Sequence, residues 1–104
     1  ETMICGLSVG ADGAIGTSYN YMPETANGIY ENFIKSDLKT ALSYQRKLNS
    51  YIKLFANANI ALWKASMRAL GFDVGYTVFP AHEPTAEEYG KLLANLKEIG
   101  IPKL

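Results

Sequence analysis

The most informative part of the chain is residues 10–20, which read Gly10-Ala11-Asp12-Gly13-Ala14-Ile15-Gly16-Thr17-Ser18-Tyr19-Asn20. Small residues crowd together in the first half, and backbone with little side-chain bulk packs closely against neighbouring strands or a ligand. Hydroxyl and amide side chains follow in the second half, where a buried strand would reach the surface. The pattern predicts a short buried strand over about residues 11–17, with a polar exit that begins at Thr17.

Apolar residues at helical spacing predict helices on both sides of this strand. A short helix over residues 2–9 ends at Gly10, and Pro23 suits the first turn of a second helix. Ser36 is the predicted N-cap of a third helix, over roughly residues 37–57. A single buried strand needs partners for its backbone groups, so the chain is either a helical bundle or lacks its partner strands.

The second half of the chain also reads as helices. The triplet Asn57-Ala58-Asn59 predicts a break, and a stripe from Ile60 to Leu70 predicts a helix that ends at a left-handed Gly71. Residues 72–84 carry two prolines and no helical period, which predicts a connecting loop. A capping box from Thr85 to Glu88 opens a last helix.

The composition of the chain limits the classes of function that it can have. The chain has 104 residues, 48% hydrophobic, with ten basic and ten acidic residues that cancel. No basic stripe is present, which argues against nucleic acid or an anionic membrane as the main partner. The single cysteine, Cys5, is predicted to be a small buried apolar residue. With one histidine, His82, and no cluster of cysteine or further histidine ligands, the sequence argues against a zinc site. The chain opens on Glu1 without an initiator methionine, so we expect a piece of something longer.

Residues 10–20 resemble the exit of the eighth strand in the N-acetylneuraminate lyase branch of the class I pyruvate-dependent aldolases, relatives of dihydrodipicolinate synthase. The pattern there is G-A-D-G-[GA]-I-G-S-T-Y-N, and here Thr17-Ser18 stands where Ser-Thr is usual. The resemblance continues through the later helices and covers nearly the whole chain. It implies an α/β fold, the last third of a (β/α)8 barrel, whose full length is about 250 residues or more. Residues 1–36 would be the last helix–strand–helix part, and residues 37–104 a helical extension packed on the barrel.

The resemblance also implies an activity. The parent reaction is reversible cleavage of N-acetylneuraminate to pyruvate and N-acetylmannosamine through a lysine imine, with no metal and no external cofactor. The reactive lysine and a catalytic tyrosine would precede Glu1, so no catalytic residue is expected in this chain, and the chain alone should be inactive. The expected partners are a sugar acid, an upstream companion polypeptide and further copies in a cytoplasmic homotetramer.

Three residues are carried over as substrate-binding candidates. Gly16 would offer backbone groups and Thr17 a hydroxyl to the sugar hydroxyls. Glu1 matches an acidic residue after strand seven, which accepts hydrogen bonds from the outer hydroxyls. The plainer interpretations are a chain turn at Gly16, a strand end at Thr17 and a solvated terminus at Glu1.

Two other side chains invite a functional interpretation. Lys64 lies among apolar residues, as a Schiff-base lysine would, but the resemblance places it on a C-terminal helix and we interpret it as structural. Tyr19 is expected to be a buried structural tyrosine.

Two alternative functions stay open. One is another pyruvate-dependent aldolase, such as a dihydrodipicolinate synthase or a 2-keto-3-deoxy sugar acid aldolase. The other is a non-catalytic helical interaction domain.

Overall fold

The computed structural model describes residues 1–54 and 60–100. These ranges contain five α-helices: α1 (Met3–Ser8), α2 (Pro23–Ile34), α3 (Leu38–Leu54), α4 (Ile60–Ala69) and α5 (Ala86–Glu98). A short 3-10 helix, Thr17–Asn20, lies between α1 and α2. The chain divides into two compact units, Glu1–Ile52 and Lys53–Leu104. Among the described helices, none combines the length and the apolar character needed to cross a membrane.

The helices predicted from apolar spacing are confirmed within the described residues. Pro23 is the first residue of α2, where its missing N–H costs no hydrogen bond. Gly71 follows α4 with a φ of +89°, the left-handed conformation predicted for it. The predicted capping box is also present, because Thr85 Oγ1 accepts from the Glu88 N–H while Glu88 accepts from the Thr85 N–H. The break predicted at Asn57-Ala58-Asn59 lies outside the described residues.

The prediction of Ser36 as the N-cap of the third helix is wrong. Ser36 has a φ of +64° and lies in the turn between α2 and α3. Asp37 caps α3 instead, because its Oδ1 accepts a hydrogen bond of 3.1 Å from the Thr40 N–H. A carboxylate also interacts favourably with the positive end of the helix, which is an advantage over a serine hydroxyl.

The predicted strand over residues 11–17 is also wrong. Residues 1–54 and 60–100 contain no strand, and the 3-10 helix begins at Thr17. Gly16 does have extended backbone, with φ −164° and ψ 145°. Ile15, the predicted apolar anchor of a buried strand, is fully exposed. A strand needs a neighbouring strand for its hydrogen bonds, and the described residues supply none.

In the first unit, α2 and α3 approach closely at Gly28. A Cβ built on this glycine would lie 2.8 Å from the ring of Tyr44 on α3, so only hydrogen fits there. The apolar side chains buried in this unit come from its helices and from the turn before α2: Leu7, Met22, Ala26, Ile29, Ala41, Leu48 and Tyr51. Cys5 is exposed, so its predicted burial is wrong. On a helix of six residues only Leu7 is buried, and Cys5 lies on another face.

In the second unit, two cationic residues of α4 hold the loop over residues 72–84. Lys64 Nζ donates to the carbonyls of Val74 and Tyr76, at 3.2 and 2.8 Å. Arg68 Nη1 donates to the carbonyl of Gly75 at 2.6 Å, and its guanidinium lies 4.6 Å from the centre of the Tyr76 ring. Three consecutive carbonyls are therefore bound by side chains one helical turn apart.

A carboxylate completes this arrangement. Glu83 Oε2 pairs with Arg68 Nη2, while Oε1 accepts from both the backbone N–H and the hydroxyl of Thr77, at 2.8 and 2.7 Å. The bonds from Thr77, and then those from Arg68, hold the pKa of the Glu83 carboxyl below its usual value. The predicted loop is thus confirmed, and it has a defined conformation set by charged hydrogen bonds.

Candidate functional site

Gly16 allows Tyr19 to fold back over the start of the 3-10 helix. A Cβ at Gly16 would lie 3.1 Å from Cζ of the Tyr19 ring, closer than ordinary packing allows. The backbone closes the same turn, since the Tyr19 N–H donates to the Gly16 carbonyl at 3.1 Å. The absence of a side chain at Gly16 is therefore used for a close approach, and the phenol covers the residue expected to face a ligand.

Glu1 lies within electrostatic reach of the same phenol. Burial, and to a smaller extent the negative charge of Glu1, raises the pKa of Tyr19. Tyr19 is half-buried, so the prediction of a buried tyrosine is only partly right. Tyr19 thus packs against Gly16 and lies within electrostatic reach of Glu1, although eighteen positions separate Glu1 from Tyr19 in the sequence.

Thr17 is exposed at the first position of the 3-10 helix. Its backbone carbonyl accepts a hydrogen bond of 3.1 Å from Asn20 Nδ2, which fixes the turn from the far side. The next residue, Ser18, is buried and serves the core. Of the two neighbouring hydroxyls, Thr17 is therefore the one available to a ligand.

Two residues of α3 that the sequence did not single out reach the segment carrying Glu1. Gln45 Oε1 accepts a hydrogen bond of 3.2 Å from the backbone N–H of Ile4, and its Nε2 donates to Asn49 Oδ1 at 2.9 Å. Asn49 Nδ2 in turn donates to the Glu1 carbonyl at 3.2 Å. A signal was present in the sequence, because Gln45 falls on the apolar stripe between Ala41 and Leu48, where a polar residue is unexpected.

Lys64 is engaged with backbone. Its ammonium donates to two carbonyls of the 72–84 loop. These two hydrogen bonds hold the side chain against the loop. This geometry favours the structural interpretation of Lys64.

Comparison with known proteins covers almost all of the chain. The model of the dihydrodipicolinate synthetase family matches residues 1–99. The N-acetylneuraminate lyase of Mus musculus is 32% identical over 102 residues, which are 95% of this chain and 32% of the mouse protein. The N-acetylneuraminate lyase of Clostridium perfringens is 34% identical over 100 residues, again 95% of this chain and 33% of the relative.

The backbone is similar as well. The structure of Proteus mirabilis N-acetylneuraminate lyase superposes with a TM-score of 0.85 at 28% sequence identity, over 96% of this chain and 34% of that one. The chain spans about a third of the length of these relatives. By its matching sequence and its backbone, the chain belongs to the dihydrodipicolinate synthetase family and is similar to the N-acetylneuraminate lyases within it.

Proposed function

We propose that this chain is the C-terminal third of a (β/α)8 barrel enzyme that cleaves N-acetylneuraminate reversibly to pyruvate and N-acetylmannosamine. The observation that carries the proposal is the packing of the Tyr19 ring against Gly16, with the charge of Glu1 within electrostatic reach of the same phenol. In this fold the active site lies at the C-terminal ends of the barrel strands.

Each candidate residue has a chemical role in this proposal. An open-chain sugar acid presents a row of uncharged hydroxyls, which both donate and accept hydrogen bonds. The Glu1 carboxylate accepts from two neighbouring hydroxyls of the outer part of the sugar. Gly16 supplies backbone groups and Thr17 a hydroxyl nearer the strand end. Together they form a wall that selects the substrate.

The bond-breaking chemistry is assigned to the rest of the enzyme. In the proposed reaction a lysine amine forms an imine with the ketone carbon, and this imine accepts the electron pair of the carbon–carbon bond that breaks. Lys64 is not assigned that role, because its Nζ is committed to the loop carbonyls. The companion part would supply the lysine and the tyrosine, and the assembled enzyme would be a cytoplasmic homotetramer, as in the resembled family.

The test is a chimera in which these 104 residues replace the matching third of the Clostridium perfringens lyase. We expect it to release pyruvate from N-acetylneuraminate, and the isolated chain to release none. Pyruvate and borohydride should leave a stable mass adduct on the chimera outside residues 1–104. A stoichiometric adduct on Lys64, or a chimera that folds but cleaves no sugar acid, would contradict the proposal.

A second candidate function is the condensation of pyruvate with aspartate semialdehyde, as in dihydrodipicolinate synthase. The match of the dihydrodipicolinate synthetase family model to residues 1–99 favours keeping this candidate. The same chimera separates the two functions when it is assayed with both substrates. Turnover of aspartate semialdehyde in preference to N-acetylneuraminate would select the second one.

A further inference from the structure

Helix α1 has no cap of its own. The residue before it, Thr2, makes no side-chain hydrogen bond to the first turn, and that turn contains no acidic residue. The N–H of Ile4, in the first turn of α1, donates instead to Gln45 Oε1 of α3. A free N–H at a helix start normally needs an acceptor from the residue just before it. Here α3 supplies that acceptor across the first unit.

A series of side-chain amide hydrogen bonds connects Gln45, through Asn49, to Glu1. Gln45 is only 7% exposed, and both ends of its amide are used, one by Ile4 and the other by Asn49. Asn49 Nδ2 then donates a hydrogen bond to the Glu1 carbonyl. A buried amide costs free energy unless its polar atoms have partners, so the Gln45 amide is held in one arrangement by Ile4 and Asn49. The bond from Asn49 to Glu1 lies at the surface.

We propose that Gln45 and Asn49 are positioning residues, which fix the Glu1 segment against α3 so that its carboxylate faces the substrate hydroxyls. The inference rests on the proposed function, because it assigns the purpose of this hydrogen-bond chain to substrate selection. Neither amide touches the substrate. Both act through Glu1.

A purely structural role for the amides predicts different kinetics. Loss of stability would lower the amount of active enzyme equally for every substrate. Loss of the Glu1 position weakens the binding only of substrates whose outer hydroxyls reach the carboxylate, in the ground state as well as in the transition state. The comparison of a long and a short substrate therefore separates the two roles.

The experiment uses the chimera described above with Asn49→Leu, which keeps the number of side-chain heavy atoms and removes both hydrogen bonds. We expect kcat/KM for N-acetylneuraminate to fall about tenfold, mainly through KM, because the hydrogen bonds to a charged group are weakened. For a shorter 2-keto-3-deoxy sugar acid without the outer hydroxyls, kcat/KM should change by less than about twofold.

Double substitution sharpens the test. Since Asn49 acts through Glu1, the Glu1→Gln, Asn49→Leu pair should be no worse than Glu1→Gln alone. Asn32→Leu is the matched control, because the Asn32 side chain donates to the Gly28 carbonyl of its own helix, and it should leave the ratio of the two substrates unchanged. If Asn49→Leu does not fold, the milder Asn49→Ser should show the same selective loss.

Equal losses on both substrates, or independent losses in the double variant, would overturn the inference while leaving the proposed function intact. An unmodified chimera with no activity would contradict the proposed function itself, and the inference would fall with it. The two failures are therefore distinguishable from one data set.

Discussion

Each unit fixes a neighbouring segment against a helix, and the two units do so by different chemistry. In the first unit, neutral amides of Gln45 and Asn49 reach the backbone of the N-terminal segment. In the second unit, the cations Lys64 and Arg68 reach the backbone of the 72–84 loop, and the carboxylate of Glu83 completes the set. Amide hydrogen bonds do not depend on ionisation, whereas charged ones do. The units should therefore respond differently to substitution and to pH.

The largest effect is expected from Arg68→Leu in the second unit. This change removes the hydrogen bond to the Gly75 carbonyl, the contact with the Tyr76 ring and the partner of Glu83. The free energy of unfolding should fall by about 3 kcal/mol, because a charge-assisted bond and a cation–π contact are lost together. Urea unfolding of the whole chain, followed by the fluorescence of the single tryptophan, Trp63 on α4, measures it.

Arg46→Leu is the matched control for that experiment. Arg46 is exposed on α3 in the first unit, so its replacement should change the free energy of unfolding by no more than about 0.5 kcal/mol. Equal effects of the two substitutions would show that the loop is not held by Arg68.

A smaller effect is expected where the first unit brings two helices close. Alanine is a better helix residue than glycine by about 1 kcal/mol, but at Gly28 its methyl group would lie 2.8 Å from the Tyr44 ring. Overpacking of about 2 kcal/mol outweighs that gain, so Gly28→Ala should lower stability by about 1 kcal/mol net. Urea unfolding followed by circular dichroism measures it.

Gly90→Ala in α5 should change the free energy of unfolding in the opposite direction. A Cβ at Gly90 meets nothing within 4 Å among the described residues, so only the helix preference acts. Stability should rise by about 1 kcal/mol. A stabilising Gly28→Ala would mean that the two helices do not approach as described.

The pH dependence should be the smallest of these contrasts. The folded pKa of Glu83 lies below its ordinary value of 4.5, so its contribution to stability is complete above that pH and is lost as pH falls through the folded pKa. Glu88 behaves in the same way through its bonds from Thr85, and so does Asp37 in the first unit. Glu83→Gln should therefore reduce, without abolishing, the acid sensitivity reported by Trp63.

Alkaline pH should act on the first unit. Burial raises the pKa of both Tyr19 and Tyr21 above the ordinary 10.0. Their contribution is present below pH 10 and is lost as pH rises through the raised values, because the unfolded chain then holds fewer protons than the folded one. Tyr19→Phe should weaken the alkaline loss seen by circular dichroism. A loss that is unchanged in this variant would contradict the assignment.

Sequence reasoning predicted most of the helices because their signals are local. Apolar spacing, Pro23, Gly71 and the Thr85 capping box each act within a turn or two of chain. The strand over residues 11–17 was predicted wrongly for this chain because a strand is defined by its neighbours, which lie beyond its own sequence. Ser36 and Asp37 are adjacent and both residue types favour the N-cap position, so the local pattern does not decide between them.

The candidate site was predictable only in part. Gly16, Thr17 and Glu1 came from resemblance to a family, and their roles remain predictions. The contact of Gly16 with Tyr19 depends on the path of the turn between them, which no local pattern specifies. Gln45 and Asn49 reach partners more than forty residues away, so their purpose is invisible without the fold.

The exposed, extended segment before Gly16 has a consequence for handling the chain. Ile15 is fully exposed, and the described residues place no strand beside it. Such a segment is a template for pairing with another chain, and identical copies are the most abundant candidates in a concentrated solution. Production of the chain alone should therefore favour self-association through this segment.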